Sequence, residues 1–169
     1  MSTLNLKEMK HGFTACEEVE LPRYFKQFNI YENLVVPCGV DSEYTLDLKV
    51  GNLKIISAKI INTINGLSIE GQYLTGKKLV LMGYVDVSIY FKPKKKKGCG
   101  NEFSNAYVLE KSMSFSTFIV IPNPVCDENI INLRYIIEDG SLAKISENKV
   151  LISTTIFIEY DDKKLIKEE

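Results

Sequence analysis

Apolar and polar residues alternate along much of this chain with a period of two. The clearest case ends the stretch 67–91, where Leu79, Leu81, Val85, Val87, Ile89 and Phe91 are apolar and only Gly83 interrupts them. Val80, Met82, Tyr84, Asp86, Ser88 and Tyr90, which lie between, are mixed. Successive strand side chains point to opposite faces, so this pattern predicts a long strand with one buried face. Residues 130–138 repeat it with Ile131, Leu133, Tyr135 and Ile137 inward, and residues 150–160 with Val150, Ile152, Ile156 and Ile158. Another strand is expected over 107–121, carrying Phe115, Phe118, Ile119, Val120 and Ile121 and ended by Pro122 and Pro124. Short strands are expected at 34–37 and 44–50, and the isoleucine-rich run 53–64 suits a pleated, half-buried surface.

Turn signals divide these runs. Asn65-Gly66 is the strongest two-residue hairpin signal in the chain, and Gly51-Asn52 and Thr75-Gly76 read as further turns. The region 53–91 is therefore expected as a three-stranded antiparallel meander. Residues 92–101 combine lysines, glycines and Pro93, which suits a loop tip. With almost no helical periodicity, the expected fold is all-β: an antiparallel β-sandwich with an extended N-terminal arm. The first thirty residues read as an extended arm or an edge strand; the arm covers 1–23, the sandwich domain 24–160 and a charged tail 161–169.

Composition narrows the function classes. A chain of 169 residues, 45% hydrophobic and 25% charged, is long enough for one good core, and one domain is expected. The net charge of −1 supplies no global field toward nucleic acid, and no nucleic-acid partner is expected. No run is apolar enough to span a bilayer, and the first residues lack the apolar core of a secretory signal. Synthesis in the cytoplasm without membrane insertion is the expectation.

Candidate chemistry is sparse. His11 is the single histidine, so a nucleophile-histidine arrangement has one base to draw on, in a polar stretch with no strand to hold it. Glu138 and Asp139 are adjacent, and adjacent strand residues point apart, so the pair reads as a solvated turn after a strand. No catalytic residue and no cofactor is assigned, and the chain is not expected to be an enzyme. Cys16, Cys38, Cys99 and Cys126 match neither zinc-site nor CxxC spacing, so no metal is expected. Cys38, Cys99 and Cys126 stand in turn-like surroundings, Pro37-Cys38-Gly39, Gly98-Cys99-Gly100 and Pro124-Val-Cys126-Asp127, which suits exposed loops. They read as free thiols or as candidates for intermolecular disulfides, according to compartment.

Two surface features remain. Lys94, Lys95, Lys96 and Lys97 form the one concentrated charge, either a solvated hairpin tip or a contact for an anionic partner. No aromatic residue interrupts them, which removes a stacking platform for single-stranded nucleic acid. Met82, Tyr84 and Tyr90, with Val80, lie on the even face of the central strand. That face is either an assembly surface or is covered within the domain.

Several segments also resemble a known family. Ser68-Ile-Glu-Gly-Gln-Tyr-Leu-Thr-Gly-Lys-Lys-Leu79 followed by Gly83-Tyr-Val-Asp-Val-Ser-Ile-Tyr90 resembles the SPOCS domain of clostridial sporulation proteins. Phe25-Lys-Gln-Phe-Asn-Ile-Tyr-Glu-Asn-Leu-Val-Val-Pro37 resembles its entry segment, Phe115-Ser-Thr-Phe-Ile-Val-Ile-Pro122 its FS-x-F strand, and Tyr135-Ile-Ile-Glu-Asp139 its acidic pair. The likeness runs from about Tyr24 to Tyr160, in the family's order. It implies a noncatalytic, β-rich building block of the endospore coat, exosporium or appendages, made in the mother-cell cytoplasm and deposited on the spore surface. A well-known member adds a carbohydrate-binding LysM domain; no such domain follows here, so a stand-alone block is expected. The implied partners are copies of the chain itself and other spore-surface proteins. The alternative is a soluble binding module that recognises a spore-wall glycan or a coat assembly scaffold protein. A heterologous contact, with the amino-terminal arm adding a strand to a neighbour's open edge, is the expected mode of self-assembly.

Overall fold

A computed structural model of the chain describes residues 4–9, 22–36, 44–69, 71, 73–93, 106–123, 125 and 130–161. Those residues form seven strands: β1 Leu4–Glu8, β2 Phe25–Val35, β3 Tyr44–Leu67, β4 Tyr73–Pro93, β5 Tyr107–Val120, β6 Ile131–Ser146 and β7 Lys149–Tyr160. One sheet runs β1-β6-β7-β2 and the other β3-β4-β5. The second sheet stacks on the first with β2 over β5 and β6 over β3, so the all-β sandwich expected from the alternation is the fold found.

The period-two faces build the core. Leu79, Leu81, Val85, Val87, Ile89 and Phe91 of β4 are fully buried and face Val150, Ile152, Ile156 and Ile158 of β7 and Ile131, Leu133 and Tyr135 of β6. Between the sheets the rings of Phe28 and Phe115 lie with centroids 5.3 Å apart. Gly83 interrupts the apolar face for a steric reason. A Cβ there would stand 2.9 Å from the Phe115 ring and would collide with the Lys54 carbonyl oxygen. β3 shifts register between Ile55 and Ser57, directly across from Gly83, and this places its backbone so close.

Turn chemistry departs from expectation at four places, one of them Thr75-Gly76, which lies inside β4. Gly51-Asn52 is a bulge within β3, not a turn, so the two strands expected at 44–50 and 53–64 are one. Asn65 and Gly66 pair with Thr75 and Leu74 inside the hairpin, and the chain reverses a few residues later. The Gly71 N–H donates to the Ser68 carbonyl at 2.9 Å, with Gly71 at φ 80°. The expected meander is accordingly one long β3–β4 hairpin, to which β5 adds the third strand. Glu138-Asp139 is likewise not a turn, because β6 continues to Ser146. A register shift between Ile137 and Asp139 reverses the facing there and brings Leu142 against the core.

The expected arm contributes a strand of its own. β1 pairs with β6 from Leu4↔Ile131 to Glu8↔Tyr135, a parallel pair in a fold expected to be wholly antiparallel. Leu4 and Leu6 pack against the core.

Candidate interaction surfaces

The even face of β4 is turned away from the core. Its cross-strand rows are Lys54–Tyr84–Ser114, Ser57–Met82–Ser116 and Asp47–Tyr90–Val108. Met82 is 48% exposed, whereas Tyr84 and Tyr90 are half-buried by their neighbours. Polar contacts cross this face. Lys54 Nζ donates to Asp86 Oδ2 at 2.9 Å and lies 5.1 Å from the Tyr84 ring centroid. Ser112 Oγ donates to Asp86 Oδ1 at 2.6 Å, and this bond, then Lys54, holds the Asp86 carboxyl below the usual aspartate range. Lys92 Nζ donates to Asp47 Oδ2 at 2.8 Å, which lowers the Asp47 carboxyl in the same way. Met82 and the two tyrosines thus sit among serines and ion pairs, not in a continuous apolar patch. That mixture suits a wet contact surface better than a dry interface core.

Cys16, Cys38, Cys99 and Cys126 lie outside the described residues, as do Lys94, Lys95, Lys96, Lys97 and His11. Among the described residues no group of histidine, cysteine or carboxylate side chains is arranged to hold a metal ion. Glu138 accepts from the Gln27 amide at 2.6 Å and Asp139 from Ser141 Oγ at 2.6 Å, so these carboxylates have separate partners. No helix among the described residues is long and apolar enough to cross a membrane.

The sheet edges differ sharply from one another. β1 is short, at 5 residues. β3 is 24 residues long, but three register shifts break it and Lys49, Lys54 and Lys59 line it. Short length, bulges and lysines are the devices that blunt an edge against further pairing. β2 and β5 lack the bulges. Each pairs along its whole length in unbroken register, β2 with β7 and β5 with β4. The two strands lie along the same side of the sandwich, where Lys111 of β5 and Glu32 of β2 form an ion pair at 2.7 Å.

Period-two reading misses a groove of about 690 Å³ at one end of that side. Arg23, Tyr24, Phe25, Lys26 and Gln27 form one wall, and Tyr73, Lys78, Phe118 and Val120 contribute to the other. The Phe118 ring carries two ammonium groups, Lys78 Nζ at 4.3 Å and Lys26 Nζ at 5.6 Å from its centroid. Among the described residues no carboxylate lines it. Beside the groove the β3–β4 hairpin tip exposes Ile64, Leu67, Ile69 and Tyr73.

No family model, curated protein or solved structure matches the chain. Function therefore has to be argued from these surfaces and from the segment likeness. Neither the groove nor the open edge was visible in the sequence, because each combines residues distant along the chain. The nearest signal was the closeness of Arg23 and Lys26 to Phe25.

Proposed function

We propose that this chain is a noncatalytic structural subunit of the bacterial endospore surface, in the coat, exosporium or an appendage, that self-assembles through contacts between copies. The observation that supports assembly most is the open side of the sandwich. There β2 and β5 run together without register shifts, while the opposite edges, β1 and β3, are blunted. β2 adds exposed Phe25, Tyr31 and Val35, and the hairpin tip adds exposed Ile64, Leu67, Ile69 and Tyr73. Long edges without bulges beside exposed apolar side chains favour strand addition by another chain. The spore-surface setting rests on the likeness of the quoted segments to the SPOCS family. Synthesis in the mother-cell cytoplasm and partnership with other spore-surface proteins follow from that likeness. Disulfides through the cysteines would then lock contacts already made by the strands.

Electron microscopy of the purified protein at high concentration, with and without reductant, tests this reading. Ordered polymers are expected, with reductant loosening them if thiols cross-link the subunits. A chain that stays monomeric and instead retains a spore-wall glycan or a coat protein in pull-down would replace this reading with that of a binding module.

A further inference from the structure

The groove at the end of the open side is lined by cations and, among the described residues, by no carboxylate. Lys26 and Lys78 share the Phe118 ring with Arg23 nearby, and none of the three has a carboxylate partner among the described residues. Two ammonium groups beside one ring concentrate positive charge that an anion in the groove would offset. Cation and ring together make a site for a ligand that is acidic and partly apolar.

The backbone beside the groove specifies the shape of that ligand. The Tyr160 N–H donates to the Tyr24 carbonyl at 2.8 Å, and the Val36 N–H donates to the Asn148 carbonyl at 2.9 Å. Even residues of β2 thus direct their backbone groups at β7. By the alternation of an antiparallel ladder, Phe25 and Gln27 direct their N–H and C=O groups away from the sheet, toward the groove. A row of outward N–H and C=O groups recognises an extended peptide, and a sugar ring matches it less well.

Resting on the self-assembly reading above, we infer that the groove receives an extended acidic strand of a second copy of this chain, and that the strand is its run Glu17, Glu18, Val19, Glu20 and Leu21. Charge complementarity carries the choice. The run holds three carboxylates in five residues, and the groove holds three cations. In an extended conformation Glu18 and Glu20 share one face while Val19 and Leu21 share the other, a division that suits a groove offering both ammonium groups and the Phe118 and Tyr73 rings. The contact joins one surface of a copy to a different surface of the next, the heterologous geometry that propagates.

Charge reversal tests the assignment in the full-length chain, followed by sedimentation velocity under reducing conditions at low salt. One variant carries Lys26→Glu and Lys78→Glu, and the other Glu18→Lys and Glu20→Lys. Each alone is expected to associate at least about tenfold more weakly than wild type, since each opposes like charges at a closely packed contact. Their equimolar mixture is expected to regain association, because every groove then meets a strand of opposite sign. Recovery on mixing also shows that both variants are folded and that the contact runs between chains. A mixture that stays dissociated while wild type assembles overturns the inference and leaves the self-assembly reading standing. A monomeric wild type removes both, and capture of an acidic polysaccharide by that monomer, lost in the groove variant, would assign the groove to a glycan.

Discussion

Replacing Gly83 with alanine is expected to destabilise the sandwich by about 2 kcal/mol, because the new methyl group has no space on the buried face of β4. Two obstacles define the site. Phe115 Cζ would lie 2.9 Å from the new Cβ, and the Lys54 carbonyl oxygen closer still. The ring is pinned by Phe28 across the sheets, and the carbonyl belongs to a bulged backbone, so neither yields as a flexible side chain would. Overpacking of this kind costs about 1–3 kcal/mol, and a backbone obstacle places it near the top of that range. Alanine also restricts the unfolded chain, which offsets roughly 0.4–1 kcal/mol. For a chain of this length the net loss lowers the melting temperature by about 4–8 °C. Urea unfolding read by tyrosine fluorescence, with reductant present and at a concentration where the protein is monomeric, measures it; the chain has no tryptophan to obscure the signal. Adding Phe115→Leu relieves only the ring, so the double variant should show favourable coupling of about 1 kcal/mol without full recovery. A Gly83→Ala protein within about 0.5 kcal/mol of wild type would refute the argument.

Other consequences are open to measurement. Thr154 is fully buried and its Oγ1 has no hydrogen-bond partner among the described residues, so Thr154→Val should leave stability unchanged or raise it by about 1 kcal/mol. A clear loss in urea unfolding would mean the hydroxyl is bonded. The Asp86 carboxyl should titrate below the ordinary aspartate range in an NMR pH series, and its midpoint should rise in both Ser112→Ala and Lys54→Met. Because the folded value is the depressed one, its stabilising contribution is complete above an aspartate's ordinary value of about 4 and is lost as pH falls through the folded value. An unshifted midpoint in both variants would refute that assignment. The Glu32–Lys111 pair bridges the sheets but stays partly solvated, so a double-mutant cycle should give a coupling below about 1 kcal/mol that shrinks with salt. A coupling well above that, unchanged by salt, would show a drier contact.

Alternation made the layers legible, since each buried face of β4, β6 and β7 follows from a local count of two. Where the count fails, a backbone irregularity causes it. Gly51-Asn52 and Asn65-Gly66 carry turn chemistry, yet the first is absorbed as a bulge and the second as paired residues of β3, because pairing with β4 continues on either side of them. The same residues that signal a turn also permit a bulge, and only the length of the partner strand decides between them. β1 was legible only as an extended arm or an edge strand for a related reason: its five residues are too few for a convincing period, and they gain a place only by lying beside β6, a partner more than a hundred residues away.

Candidate surfaces were less legible than the core because their character depends on strand order. The even face of β4 reads as aromatic along its own sequence, with Met82, Tyr84 and Tyr90. β5 sets Ser112, Ser114 and Ser116 beside Asp86, Tyr84 and Met82, and β3 sets Lys54 over Tyr84, so the assembled face is largely polar. Phe118 makes the opposite change. Among its sequence neighbours it is one more apolar residue of a strand, but the fold leaves it 40% exposed beneath the ammonium groups of Lys26 and Lys78. Which edge stays open is also a property of strand order, for β2 and β5 are ordinary strands until the topology leaves each with one partner. The weight of assembly therefore moves from the central strand to the open side, where backbone donors, aromatic rings and the cations Arg23, Lys26 and Lys78 come together.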